Sequence, residues 1–357
     1  MFWYGLIVAL CYVPGWTGAY IPTQWPVLAI LLSFALWRSG PFTALHAAMA
    51  AFVLYAAASL IWSPVLYASV FGLWLIVIFA MALWFGTAPG NLRELYGGLT
   101  IGCAVWSLVA IFQFFGSTAI PRVTGTPAGL AVNSIQLGAV LALLIVALAT
   151  ERMWLWIVPL VPGFVLAQSR GAWLALAIGL AATRFRKPWV FLGVAAAGAA
   201  ILFSPWSSSD TERLFIWRVA WDNLSWLGYG VGSFYTVTLS RGGLPFHPEY
   251  AHNDALQLAF EFGVGALLIY AVFAYALARP SAKEWPIVAT FVTLGCYSMP
   301  LFMPVASFLA FAVVGRILRN DALAGRLGYY GRQSFVPGPH RNRVQGFSMA
   351  SHHQAKG

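Results

Sequence analysis

Apolar residues fill this chain in long blocks separated by short polar punctuation. Eight blocks, at residues 42–62, 64–86, 95–116, 130–149, 189–203, 255–278, 285–300 and 301–318, carry almost no charge. A helix needs about 20 apolar residues to cross a bilayer, with a range of about 17–25, and most of these blocks reach or approach that length. Two shorter blocks, 153–168 and 171–185, meet at the polar triplet Gln168-Ser169-Arg170 and read as a helical hairpin. Residues 2–13 and 25–37 form another short pair, divided by a Pro/Gly/Thr stretch, and read as tilted or partly re-entrant spans. The pattern predicts an all-α integral membrane protein with about twelve transmembrane helices. Helices satisfy their own backbone polar groups where no water is available.

Composition removes the soluble alternative. Of the 357 residues, 8% are charged and 61% hydrophobic, whereas a soluble domain carries about 25% charged residues. The three cysteines lie inside apolar blocks and read as small packing residues. Apolar residues follow Met1 at once, so no cleavable leader is expected.

The net charge of +10 gains meaning once it is sorted by membrane side. Lys and Arg near span ends favour the cytoplasm. Placing Arg184, Arg186 and Lys187, Arg279 and Lys283, and the basic C-terminal stretch inside makes Arg38, Arg93 and Arg152 fall inside by alternation. Both termini are then cytoplasmic. Fifteen of the 20 Lys and Arg lie inside, and five lie outside: Arg122, Arg170, Arg213, Arg218 and Arg241. All five are Arg, whose planar fork suits bidentate contact with an oxyanion.

Residues 1–318 read as one polytopic membrane domain and 319–357 as a disordered, basic cytoplasmic tail with affinity for anionic lipid. The long outer loop, 204–251, opens with three serines, and Ser209 with Glu212 fits a capping box. Residues 211–224 then predict an amphipathic helix, with Leu214, Trp217, Trp221 and Leu224 at helical spacing. Such a helix lies at the outer interface, its Trp residues at headgroup level. Gly228, Gly230, Gly232 and Gly242-Gly243 mark turns after it.

Candidate chemistry collects on the same outer side. His252 stands where the loop enters the 255–278 block and is able to deprotonate a hydroxyl. Asn253 and Asp254 behind it suit helix capping and the first helical turn. Arg170 occupies the outer turn of the hairpin, Arg213 and Arg218 lie on the amphipathic helix, and Arg122 precedes the turn-forming Thr124-Gly125-Thr126-Pro127. Arg218 and Asp222, at i and i+4, are placed to pair. Each Arg by itself is also explained by contact with lipid headgroups. Together with one His on one membrane face, they describe a site for a diphosphate-bearing lipid. Glu261 lies well inside the 255–278 block, where an acid is costly enough to be a functional candidate or the structural partner of an Arg. No phosphate-binding loop, dinucleotide fingerprint or His/Cys metal spacing occurs. No cofactor, metal or nucleic-acid partner is expected.

Three segments resemble the bacterial O-antigen ligase and O-antigen polymerase-like proteins. They are Arg122-Val123-Thr124-Gly125-Thr126-Pro127, Ser169-Arg170-Gly171-Ala172-Trp173-Leu174, and His252-Asn253 followed at ten residues' distance by Gly263-Val264-Gly265. Glu212-Arg213 with Trp217 is similar to the family's loop Arg segment. The likeness runs over residues 122–278; the flanking spans match in hydropathy alone, and the first segment lacks the Asn-Pro-Asn-like run often found after Gly-Thr.

The resemblance implies a membrane glycosyltransferase of the bacterial inner membrane, working on the periplasmic face without nucleotide or metal. It moves a glycan from undecaprenyl diphosphate to an acceptor hydroxyl. In a ligase that acceptor is lipid A-core; in a polymerase it is a second carrier-linked repeat of O-antigen or exopolysaccharide. It casts His252 as the acceptor-activating residue and Arg170 and Arg213 as diphosphate binders, with Arg218 or Arg122 as further donors and Asn253 and Glu261 in support. A small-anion transporter is the rival outside this chemistry, and it requires polar groups converging near mid-membrane.

Overall fold

The computed structural model describes residues 1–10, 43–116, 134–185, 208–236, 239–241, 244–246, 248 and 250–333. The expected spans at 25–37 and 189–203, the Arg122 segment and the tail beyond residue 333 lie outside the described residues. The chain divides into two compact units, Met1–Arg319 and Asn320–Gly357.

Helices dominate. In order they are α1 (Phe2–Leu10), α2 (Ala44–Ser59), α3 (Leu66–Thr87), α4 (Leu92–Phe114), α5 (Ser134–Thr150), α6 (Val161–Ala167, entered through two 3-10 turns) and α7 (Arg170–Arg184). There follow α8 (Ser208–Asp222), α9 (Asp254–Phe262), α10 (Ala266–Leu277), α11 (Trp285–Tyr297) and α12 (Pro304–Gln333). The all-α expectation misses one feature: strands β1 (Leu239–Arg241) and β2 (Leu244–Phe246) form an antiparallel pair with Arg241 opposite Leu244. Gly242 and Gly243 stand between them in the sequence, a known hairpin signal.

Among the described residues, three helices are long and apolar enough to cross a membrane by length and composition: Ala68–Thr87, Leu92–Phe114 and Asp254–Leu277. Ala44–Ser59, Ser134–Thr150, Trp154–Ala167 and Trp285–Tyr297 are apolar but shorter. Their outward faces carry bare apolar side chains, among them Leu54, Ile61, Leu108, Phe112, Leu155 and Leu267. Such a surface suits a lipid solvent, since a water-facing monomer rarely leaves large contiguous apolar areas uncovered.

Helix α5 is buried on all sides, from Gln136 to Ala149, as expected of a helix apolar all round. Around it pack α6, α7 and α11. Close approach elsewhere depends on small residues. A methyl group on Gly86 of α3 would run into the Ala312 carbonyl of α12, and one on Gly315 into the Leu83 carbonyl. Backbones this close gain dispersion contacts that larger side chains would prevent. Phe79–Phe311 and Phe85–Phe308 ring pairs extend the same seam.

Two basic residues assigned to the inner side meet one acid at one end of this bundle. Glu151 meets Lys283 Nζ at 2.7 Å and Arg93 Nε at 3.6 Å, although the three come from different connections. Nearby in the chain, Arg316 donates to the Gly90 carbonyl at 2.8 Å, and Arg319 donates to that of Ala88 at 3.1 Å, just past the C-terminus of α3. Helix α11 starts two residues after Lys283 and has 13 residues, so its far end, at Tyr297, stands about 20 Å away.

Candidate functional site

The far end of α11 faces the turn between α6 and α7. Gln168 closes α6 in the left-handed region, at φ 49°. Ser169 is extended and caps α7, its hydroxyl accepting from the Ala172 N–H at 3.4 Å. Arg170 is therefore the first residue of α7. That position is electrostatically wrong for a cation, because the helix dipole puts partial positive charge there, an effect of about 0.3–1 kcal/mol. An anion bound at this end would reverse the sign of the interaction.

Arg213 approaches from α8. The helix begins at Ser208, so Ser209 lies inside its first turn rather than ahead of it as a cap. Its buried residues are Ile216 and Ala220, packed with Phe234, Ala251 and Phe260. Leu214, Trp221 and Leu224 are exposed, which leaves that apolar stripe for lipid rather than for the protein core. Arg213 Nη1 donates to the Tyr297 carbonyl at 3.3 Å. Arg170 and Arg213, 43 positions apart in sequence, thus line one cavity of about 180 Å³, with Gln168, Trp217, Tyr297 and Ser298 also in its wall.

His252 is not among the lining residues, but it stands close enough to feel Arg213. Burial pushes its imidazole pKa down, and the Arg213 charge adds to the effect, giving about 4. The ring is therefore neutral at neutral pH, the form able to accept a proton. Its Nδ1 is buried with no hydrogen-bond partner among the described residues. The backbone of His252 is also constrained, with φ at 53°, a region non-glycine residues visit rarely. Its neighbours hold it there. Ala251 donates its N–H to Gln257 Oε1 at 3.0 Å and accepts from Trp217 Nε1 at 2.7 Å. Asn253 caps α9 by accepting from the Leu256 N–H at 3.0 Å, and its Nδ2 donates to the Cys296 carbonyl at 3.3 Å. One contact comes from the arginine-bearing helix and another from the end of α11.

Among the described residues the partners of Glu261 are two backbone amides and Gln257 rather than an Arg: Oε2 accepts from the Gly232 N–H at 3.0 Å, and Oε1 accepts from the Phe234 N–H at 3.4 Å and Gln257 Nε2 at 3.2 Å. The loop it holds turns on Gly228, Gly230 and Gly232, all with positive φ. Tyr229 and Gly230 donate to the carbonyls of Phe260 and Glu261. Gly263, eleven positions beyond His252, ends α9 at φ 51° with the Trp226 carbonyl against its Cα. A side chain there would collide with that loop. The ten residues between His252 and Gly263 are the cap Asn253 and the nine residues of α9.

Arg218 points elsewhere. It pairs with Asp222 at 3.7 Å, is 82% exposed, and is not in the cavity wall. Arg122 lies outside the described residues. Ser298, Tyr297 and Gln168 carried no sequence signal of their own beyond polar character at the end of an apolar run. Among the described residues no group of three His, Cys, Asp or Glu side chains is placed to hold a metal ion. No protein-family model matches the chain, and no curated protein does either.

Proposed function

We propose that this protein is a membrane glycosyltransferase that moves a glycan from undecaprenyl diphosphate to an acceptor hydroxyl, of the O-antigen ligase type with lipid A-core as acceptor. The observation that carries the reading is the convergence of Arg170 and Arg213 on one cavity at the N-terminus of α7, with a neutral His252 beside Arg213. Two guanidinium groups and a helix N-terminus favour a polyanion, and a neutral imidazole next to them favours proton removal.

In this mechanism the acceptor hydroxyl gives its proton to His252 as its oxygen attacks the anomeric carbon. The bond from that carbon to the carrier diphosphate breaks, and the electron pair leaves on the phosphate oxygen. Arg170 and Arg213 stabilise that developing charge. The displacement inverts the anomeric centre. Donor phosphate arriving beside Arg213 offsets the charge that lowers the His252 pKa, so the base strengthens when the donor is in place. The site works on the periplasmic face of the inner membrane, with both chain termini in the cytoplasm and the ion cluster around Glu151 on the inner side.

The transporter reading gains little from Glu261, because its carboxyl oxygens are occupied by two backbone amides and Gln257. The decisive experiment is transfer in proteoliposomes with a defined undecaprenyl diphosphate glycan, offering lipid A-core in one arm and a second carrier-linked unit in the other. Product on lipid A-core supports the ligase reading, and product on the second carrier-linked unit replaces it with a polymerase. Small-anion uptake with no glycan transfer in either arm sinks the enzyme reading altogether.

A further inference from the structure

Ser298 follows the last residue of α11 and is 3% exposed, yet its Oγ has no hydrogen-bond partner among the described residues. A buried hydroxyl without a partner is unfavourable, and native folds seldom retain one without a use for it. Serine has no special merit as a residue ending a helix, where glycine or asparagine is usual. Its backbone is extended, at φ −149° and ψ −157°, so the residue turns the chain out of the helix at the cavity wall. The preceding carbonyl, that of Tyr297, is the one Arg213 holds. The cavity, at about 180 Å³, exceeds more than tenfold the roughly 10–15 Å³ that one water requires. It has room for a polyatomic group.

We propose that Ser298 is a third binding residue of this cavity, its hydroxyl donating a hydrogen bond to a phosphoryl oxygen of a lipid diphosphate held by Arg170 and Arg213. This rests on the donor-binding reading of the same cavity. A serine hydroxyl complements the arginines because its proton rotates to meet a phosphoryl oxygen that the two rigid guanidinium forks leave without a donor.

The test uses full-length protein in nanodiscs of neutral lipid. Wild type, Ser298→Ala, Ser298→Thr and Arg170→Ala are titrated with glycan-free undecaprenyl diphosphate, with inorganic pyrophosphate, and with phosphatidylglycerol. Ser298→Ala is expected to bind undecaprenyl diphosphate about tenfold more weakly, the size of one hydrogen bond to a charged group. Ser298→Thr, which keeps the hydroxyl, is expected to stay within about threefold of wild type. Without ligand, Ser298→Ala is expected to melt at or above the wild-type temperature, because the substitution strands no partner. Equal binding by Ser298→Ala and wild type, with Arg170→Ala impaired, overturns the Ser298 assignment and leaves the cavity reading standing. A melting temperature well below wild type also overturns it, since the hydroxyl would then serve the fold. Wild-type protein that binds phosphatidylglycerol as well as the diphosphate, or binds no diphosphate, overturns both.

Discussion

Arg213 donates from Nη1 to the Tyr297 carbonyl at 3.3 Å, joining α8 to the last turn of α11. The bond fixes one wall of the cavity to another, so the guanidinium acts as a tether and as a source of charge. Arg213→Lys keeps the charge but loses the fork that reaches both the carbonyl and an anion. Both Arg213→Ala and Arg170→Ala are expected to slow transfer by about 100- to 1000-fold, the usual loss of one charge-stabilising donor. Initial rates on defined carrier-linked glycan measure this, and rates within about threefold of wild type would rule both residues out of the machinery.

Arg218→Ala is the contrasting case. The side chain is exposed and paired with Asp222 on the same helix face, an arrangement that contributes little. Transfer is expected to change by less than about threefold. A large loss in the same assay would mean that Arg218 turns toward the donor during the reaction.

The pH dependence has a definite sign. His252 must be neutral to accept a proton, and in the free protein its pKa is held at about 4 by burial and then by Arg213. Activity, as kcat/KM, is therefore expected to be level above about pH 5 and to fall as pH drops through about 4. Stability follows the same group. Between the ordinary histidine value of 6.5 and about 4 the unfolded chain takes up a proton that the folded protein refuses. The His252 contribution is thus intact above 6.5 and is lost progressively as pH falls through that window. Melting temperature against pH for wild type and His252→Gln separates this group from the rest, and identical curves would contradict the burial.

Glu261→Ala is expected to act on the fold before it acts on chemistry. It strands the amides of Gly232 and Phe234, at roughly 1–3 kcal/mol for each buried group left without a partner. The readout is a lowered melting temperature together with faster labelling of a cysteine placed at Tyr229. Full stability with lost activity would instead give Glu261 a direct part in the reaction.

Gly86→Leu and Gly315→Val are each expected to force α3 and α12 apart, costing about 1–3 kcal/mol or more. Thermal unfolding in detergent measures the effect. Neither residue lies in the cavity wall, so the surviving folded protein should retain its transfer rate.

Much of this was readable along the chain, for reasons that differ by residue. Hydropathy locates the helices because burial in lipid demands long apolar runs, and the Gln168-Ser169-Arg170 triplet interrupts such a run where two helices meet end to end. Counting charges by side puts Arg93 and Lys283 together, and what the structure adds is their shared partner Glu151. Glu261 was visible as an anomaly, yet its partners are backbone amides, which leave no trace in side-chain identity. Of the stripe Leu214, Trp217, Trp221 and Leu224, Trp217 turns to Ala251 and the cavity wall while the others are exposed, because periodicity reveals an apolar face without revealing what covers it. Ser298 is the extreme case: its interest lies in what surrounds the hydroxyl, and one serine at the end of an apolar run resembles any other.

The length of α11 has a consequence for competing chemistry. Its 13 residues span about 20 Å, whereas the hydrocarbon core of a bilayer is about 30 Å thick. With the helix centred, its Ser298 end sits about 5 Å below the level where lipid tails give way to headgroups. A diphosphate drawn into that recess meets less water than one left at the surface. On the proposed function, the same shortness that makes α11 a poor span on its own shields the activated sugar from hydrolysis while it waits for an acceptor.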